Sequence, residues 1–253
     1  MTNDSLFDLN GQRAVVTGAA GDFGRVFVRA LAGRGCRVVA VDRDDGALRE
    51  ARGGWPESVA PFVLDVTDEA RLEEFFLDEI QAALGGLDLL VNNAGIMRRG
   101  PSEETEMSRW REVFGVNLDG PFMMARAAGR LMLEQGSGTI VNVSSIASVK
   151  ALDNRIAYCT SKAALSHMTR VLAGEWGARG VRVNGIAPGF IRSRMNADLR
   201  ADPVRAEAMT AAVPLNRFGE PEELVGALLF LASPAASYVN GHILFVDGGL
   251  NTR

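Results

Sequence analysis

The 253-residue chain is 47% hydrophobic and 23% charged, with a formal net charge of −4 and a pI of about 5.4. This balance describes a globular protein long enough to bury a substantial core without disulfide or metal staples. It offers no basic field for nucleic acid, no cationic amphipathic segment for a membrane surface, and no run of 18 apolar residues to span a bilayer.

Met1 to Asn10 carries two Asp and no Lys or Arg, unlike a secretory leader. The two cysteines, Cys36 and Cys159, lie far apart with no CxxC or neighbouring His. That is the pattern of free thiols in a reducing cytoplasm. No metal-ligand spacing occurs, so no metal site is expected.

In chain order, the first apolar run, Arg13 to Thr17, reads as a strand. It leads directly into Thr17-Gly18-Ala19-Ala20-Gly21-Asp22-Phe23-Gly24 and a helix. A glycine-rich turn between strand and helix aims backbone N–H groups and the positive helix end at a pyrophosphate. The second strand, Arg37 to Val41, delivers Asp42 eighteen residues after Gly24. An acid there accepts hydrogen bonds from ribose hydroxyls and repels a 2′-phosphate, which favours NAD over NADP. The adjacent Arg43 works the other way, as a guanidinium able to partly restore NADP binding. A simpler reading makes Asp42 a turn cap beside Asp44 and Asp45.

Further strands are expected at Ala60 to Leu64, Leu87 to Val91, Thr139 to Val143, Val181 to Ile186 and Ile243 to Val246. Several are apolar for most of their length, as where helices cover both faces of a parallel sheet. Helix candidates cover Glu69 to Leu84, Ser108 to Gln135, Arg155 to Arg179 and Glu222 to Leu231, the last behind Pro221. The alternation predicts one doubly wound α/β domain of the Rossmann type, a seven-stranded parallel sheet with helices on both faces. Residues 192–217 break the rhythm. They are charged, Ala-rich and interrupted by Pro203 and Pro214, a composition that suits a substrate lid or a plain surface excursion.

Tyr158 and Lys162 stand four residues apart, so on a helix both emerge from one face. A free phenol has a pKa near 10 and is a poor base at neutral pH, but an adjacent ammonium favours its ionised form. Taken alone, the pair suits acid–base chemistry and an ordinary half-buried helix equally well.

The whole set of segments resembles the short-chain dehydrogenase/reductase family. The matching pieces are the Thr17 to Gly24 turn, Asp65-Val66, Asn92-Asn93-Ala94-Gly95, Asn117, Ser145, Tyr158 with Lys162, Pro188-Gly189, and Phe230 to Ser233 with Val246 to Gly249. They span the chain from about Leu6 to Gly249. Ser145 follows Asn117 by 28 residues and precedes Tyr158 by 13, as the family pattern requires.

The resemblance implies an oxidoreductase with Tyr158 as general acid/base and Ser145 holding the substrate oxygen. Lys162 would bind the nicotinamide ribose and depress the Tyr158 pKa, and Asn117 would hold a water relaying protons to Lys162. Gly18, Gly21, Asp22, Phe23 and Gly24 would surround the pyrophosphate, with Asp42 and Arg43 at the adenosine ribose. Asp65 and Val66 would meet the adenine, and Asn93, Ala94 and Gly95 would pack along the cofactor. Pro188, Gly189, Ile191 and Ser193 would flank the carboxamide. Asn92 would stitch the sheet, and Ser144 would support its neighbour. A homotetramer formed through the helices from Ser108 and Arg155 is implied as well. One departure stands out: Asp22 occupies the place of the family's middle glycine, and its charge is expected to weaken cofactor binding.

Within the family, NNAGIMRR (Asn92 to Arg99) and VNGHILFVDGG (Val239 to Gly249) look most like gluconate 5-dehydrogenases and 2-dehydro-3-deoxygluconate 5-dehydrogenases. Arg98 and Arg99 are then candidates for pairing a sugar-acid carboxylate. The alternatives are a solvated pair facing Glu103 and Glu104, or a contact between subunits. Two other functions share the fold: an NADPH-dependent 3-oxoacyl-thioester reductase, against which Asp42 counts, and a non-catalytic nucleotide-binding protein.

Overall fold

Successive residues of a strand face opposite ways, and the apolar strands of this chain bury both faces. In β1 (Arg13–Thr17), Ala14 and Val16 enter one core and Val15 the other; in β2 (Arg37–Asp42), Val38 and Ala40 part from Val39 and Val41 in the same way. The computed structural model describes residues 6–252. With β3 (Val59–Val63), β4 (Leu89–Asn92), β5 (Gly138–Val143), β6 (Val181–Pro188) and β7 (Ile243–Val246), these strands form one parallel sheet in the order β3-β2-β1-β4-β5-β6-β7.

One core lies under α1 (Asp22–Ala32) and α2 (Asp45–Arg52), where Phe27, Leu31 and Leu48 are buried. The other takes Leu72 of α3 (Glu69–Glu74), then Phe75 and Ile80 of a π-helical segment, Phe75–Ile80, that continues into α4 (Gln81–Leu84). The expected helix from Ser108 to Gln135 is likewise three pieces. These are α5 (Met107–Phe114), a π-helical Gly115–Asp119, and α6 (Gly120–Gln135), which buries Met124 and Met132 in the second core. Next come α7 (Ile156–Trp176), two short helices α8 (Ala197–Ala201) and α9 (Pro203–Ala211), and α10 (Val225–Ala232), whose Leu228 and Leu231 close the first core.

The strand expectations hold to within two residues at each end. β3 runs one residue earlier than Ala60 to Leu64 and contains Pro61. It lies at the sheet edge, where one side of the ladder is unpaired and a missing N–H is tolerated. β6 reaches two residues further than expected, to Pro188, because it stays in register with Val246 of β7.

The site is set by the place where strand order reverses. β1 pairs with both β2 and β4, so the chain leaves β1 toward one edge and β4 toward the other. The loops at their carboxyl ends diverge and leave a crevice there, the usual ligand position in open parallel sheets. No helix among the described residues is long and apolar enough to cross a membrane.

Candidate active site

The turn after β1 fits a dinucleotide because its glycines have no room for side chains. Gly18 sits at φ +62°, and a Cβ on it would lie 2.8 Å from Ala94 Cα; one on Gly24 would lie 2.1 Å from Gly18 O. Gly24 therefore lets α1 pack tightly beneath the turn, with the helix N-terminus facing the crevice. Thr17 Oγ1 accepts from Asn93 N (3.0 Å) and Ala94 N (3.1 Å), and Asn93 Nδ2 donates to Gly18 O (3.0 Å). The loops after β1 and β4 are thus bolted together as the cleft floor.

Around that floor stand Gly18, Gly21, Asp22 and Phe23 of the turn, Asp42 and Arg43 at the end of β2, and Asp65 and Val66 after β3. Asn93, Ala94 and Gly95, then Tyr158 and Lys162 of α7, complete the walls together with Ser193. Asp42 accepts from Ala20 N (3.0 Å) and Asp44 N (3.2 Å), which fixes its carboxylate at the rim; Arg43 stands 4.0 Å from Asp65 and is exposed. Pro188, Gly189, Ile191 and Ser145 line an adjoining pocket that shares Phe23, Ser144, Tyr158 and Ser193 with the first.

The candidate acid–base group is assembled by three elements. β5 ends at Val143, and Ser145 follows in extended backbone, its Oγ accepting from Ala147 N at 3.1 Å. Helix α7 supplies Tyr158 and, one turn on, Lys162. The Lys162 ammonium is buried and donates to Val143 O at 2.7 Å; burial alone brings its pKa down to about 8. Asn117 comes from the π-helical Gly115–Asp119. Its Oδ1 accepts from Ile96 N (2.8 Å), and its Nδ2 donates to Ile96 O (2.9 Å) and Ser161 Oγ (3.1 Å).

The Tyr158 phenol stands above its usual pKa. Burial drives it up and outweighs the Ser145 hydroxyl within hydrogen-bonding reach and the Arg155 guanidinium, which both pull it down. The depression expected from Lys162 is therefore not the net result. The ammonium lies 6.0 Å from the ring centroid and spends a proton on Val143 O, while desolvation of the phenol acts undiminished.

Neighbouring polar residues take supporting parts. Ser144 Oγ meets Ser166 Oγ at 2.6 Å and donates to Lys162 O at 3.2 Å, so its hydroxyl braces α7 at the edge of the cleft it helps to line. Asn92 Nδ2 donates to Asn142 Oδ1 (2.9 Å) and Pro121 O (3.2 Å), a stitch between β4, β5 and α6.

The two arginines after β4 separate. Arg98 turns away from the cleft and forms a two-pronged ion pair with Glu112 of α5, at 2.9 and 2.5 Å. Arg99 lines the substrate-side pocket, paired with Asp198 of α8 and donating to Met195 O at 2.9 Å. Neither pairs with Glu103 or Glu104, although both line a small pocket with Glu104.

Two cleft residues were not foreseen. Arg194 donates its backbone N–H to Asp22 Oδ2 at 2.6 Å, brings Nε to 3.2 Å from Asp22 Oδ1, and donates from Nη2 to Ala20 O at 3.1 Å. A contact across 172 residues leaves no trace in spacing. Arg155 lines the same pocket as Arg99 and Tyr158; its place one turn before Tyr158 was the available signal.

With this geometry, comparison with known proteins is direct. A family model described as enoyl-(acyl carrier protein) reductase matches residues 18–251. The chain is 41% identical to D-threitol dehydrogenase of Mycolicibacterium smegmatis, over 99% of this chain and 96% of that one. It is 42% identical to a galactitol 2-dehydrogenase (L-tagatose-forming) of Cereibacter sphaeroides, over 97% of each. Among solved structures, a gluconate 5-dehydrogenase from Burkholderia cenocepacia in complex with NADP and tartrate superimposes with a TM-score of 0.92 at 36% identity, covering 98% of both chains. The chain belongs to the short-chain dehydrogenase/reductase family and is an oxidoreductase acting on CH–OH groups. Enzymes of this family use NAD(P), and the cleft described above has the glycine cradle and helix terminus to hold it.

The buried Lys162 carries a pH signature. Its folded pKa, about 8, lies below the unfolded value of 10.5, so between these the unfolded chain binds more protons and stability rises with pH. Below pH 8 the buried charge costs the fold about 3 kcal/mol, at 1.4 kcal/mol per unit. Lys162→Met should therefore gain stability relative to the parent at pH 7. The gain should shrink by about 3 kcal/mol as pH rises through this window. Urea unfolding of both proteins across that range checks it; a pH-independent difference would contradict it.

Proposed function

We propose that this protein is an NAD-linked dehydrogenase interconverting a secondary alcohol and a ketone on a sugar acid or related polyol. The carrying observation is that Tyr158 and Lys162 open onto the cleft that holds the glycine turn, with Ser145 and Tyr158 on the pocket adjoining it. A dinucleotide held by the glycine turn, Asp42 and Asp65 would accept or donate the hydride at the reacting carbon.

The chain's own residues handle the oxygen and its proton. Ser145 Oγ orients the substrate oxygen, and the Tyr158 phenol takes its proton in oxidation and returns it in reduction. Lys162, with a pKa of about 8, is mostly protonated at neutral pH and favours the phenolate as it forms. Both side-chain N–H groups of Asn117 are committed to Ile96 O and Ser161 Oγ, so Asn117 would hold a relaying water as an acceptor rather than as a donor.

The substrate class rests on relatives named for D-threitol, galactitol and gluconate, one of them holding tartrate, a hydroxy-dicarboxylate. Of the two arginines after β4, Arg99 takes the substrate contact, since Arg98 is spent on Glu112. Asp42, held at the rim by two backbone N–H groups, favours NAD and stands against an NADPH-linked acyl-thioester reductase. One observation favours a second reading, dual cofactor use: Arg43 is exposed and only loosely paired, and a structural relative carries NADP. A non-catalytic nucleotide binder has no use for a dry lysine beside a phenol.

Residues 192–217 act as the lid, tied shut by Arg194 to Asp22 and by Arg99 to Asp198. The exposed Met107, Phe122, Ile156 and Val171 on the helices α5, α6 and α7 suit burial in a homotetramer. The free Cys36 and Cys159 suit a reducing cytoplasm.

In assays of sugar acids, polyols and acyl thioesters with each cofactor, activity appears with the first two classes and favours NAD. Tyr158→Phe then lowers kcat about 10²–10⁴-fold, and Asp42→Ala shifts the NAD/NADP ratio of kcat/KM by roughly tenfold or more toward NADP. Activity confined to NADPH and a thioester overturns both assignments. Asp22→Gly removes a charge beside the pyrophosphate position and frees the Arg194 guanidinium, so the NAD Kd should fall several-fold and exchange of amides 193–201 should quicken; an unchanged or weaker Kd refutes this. Sedimentation equilibrium should give four chains, and a monomer would dismiss the α5–α7 interface.

A further inference from the structure

Two guanidinium groups face one small pocket beside the Tyr158 phenol. The hydrogen bond from Gly100 N to Asn154 O, 3.0 Å, joins the loop after β4 to the residue before Arg155. Asn154 holds a left-handed φ of 59°, a conformation asparagine tolerates better than most residues. The loop and the start of α7 are thereby fixed against each other, and Arg99 and Arg155 line the same pocket as Ser145 and Tyr158.

The charges of this pair are not balanced. Arg99 is partly compensated by Asp198 and by Met195 O, but its Nε is buried with no partner. Among the described residues Arg155 forms no ion pair, and its one side-chain hydrogen bond goes from Nη1 to Asp153 O at 2.9 Å. The charged groups acting on Arg155 are Arg99, which repels it, and Asp153, Cys159 and Tyr158, which favour its charge. Burial leads, and the net shift of its pKa is downward. Like charges held together in half-buried ground are costly unless an anion joins them. Planar guanidinium donors match the geometry of a carboxylate.

We infer that Arg155, together with the neighbouring Arg99, forms the seat for the carboxylate of the substrate, so that the enzyme discriminates polyhydroxy acids from neutral polyols. This deepens and rests on the sugar-acid or polyol reading above. The second guanidinium sought in Arg98 is supplied by Arg155, from a different element. Because Arg155 precedes Tyr158 by three residues, about 4.5 Å of helix rise, the acid end and the reacting carbon lie close together along one short chain. Arg155 is a specificity residue; the proton still moves at Tyr158.

The test compares aldonates (threonate, ribonate, gluconate) with the alditols of matching length (threitol, ribitol, glucitol). Binding is read by calorimetry on the cofactor-loaded protein and turnover by kinetics, in the parent, Arg155→Gln and Arg155→Lys. Expected is an aldonate Kd that rises at least tenfold more than the alditol Kd in Arg155→Gln, partly restored in Arg155→Lys, with a matching split in KM rather than kcat. Equal effects on both classes, or none, overturn the seat. Turnover of alditols with no affinity for any aldonate also overturns it, while leaving the dehydrogenase reading standing. Turnover of neither class overturns that reading instead, and the aldonate titrations then decide the seat alone: affinity lost in Arg155→Gln supports it, and unchanged affinity or none overturns it.

Discussion

Everything in the site depends on β1 being paired on both sides, in parallel, with β2 and β4. Parallel neighbours end at the same edge of the sheet, so the loops after β1, β2 and β4 gather there. Thr17 Oγ1 then bonds two of them together through Asn93 N and Ala94 N. The glycines of the turn allow this close approach, and Gly24 leaves α1 in contact with the strand it follows. A slip of one residue in β1 would turn Val15 and Val16 into each other's cores and pull the turn away from Asn93.

Against this rigid floor the fold keeps groups that cost it stability. Lys162 is buried with a main-chain carbonyl as its partner, and burial also raises the Tyr158 phenol. Both shifts disfavour the charged forms and bring the two groups' pKa values apart from their free ones in opposite directions. The buried chain Asn92–Asn142–Thr169 and the Ser144–Ser166 contact hold β4, β5 and α7 in place around them. This polar core is satisfied from within except at Asn92 Oδ1, which is buried with no partner, and it positions side chains where an apolar core would merely fill space.

The other side of the cleft is built differently. The segment from Ser193 to Ala211 is tied across the opening by Arg194–Asp22 and Arg99–Asp198, both at least partly exposed. Exposed ion pairs contribute about 0–1 kcal/mol each, far less than the packing that holds the sheet. As the proposed lid, a segment held this way would open at small cost. Asp22 is thus a contact across the cleft as well as a departure from the family's glycine turn.

Much of this was legible in the sequence. The strands are near-continuous apolar runs, a direct result of burial on both faces, and the spacing of Asn117, Ser145, Tyr158 and Lys162 matched a family whose fold fixes where each falls. Other features resisted. The π-helical segments at Phe75–Ile80 and Gly115–Asp119 interrupt helices whose periodicity runs through them, because an i→i+5 turn is selected by packing rather than by local propensity. The phenol's pKa direction depended on how dry its surroundings are, which no spacing encodes. The fates of Arg98 and Arg99, adjacent in sequence, diverged because one met Glu112 on α5 and the other Asp198 on α8. Local pattern therefore determined the elements and the glycine turn, and the family resemblance nominated the candidate reacting side chains. Only tertiary structure decided which charges meet across the cleft, because those pairs join residues up to 172 positions apart whose partners are chosen by the folded surface.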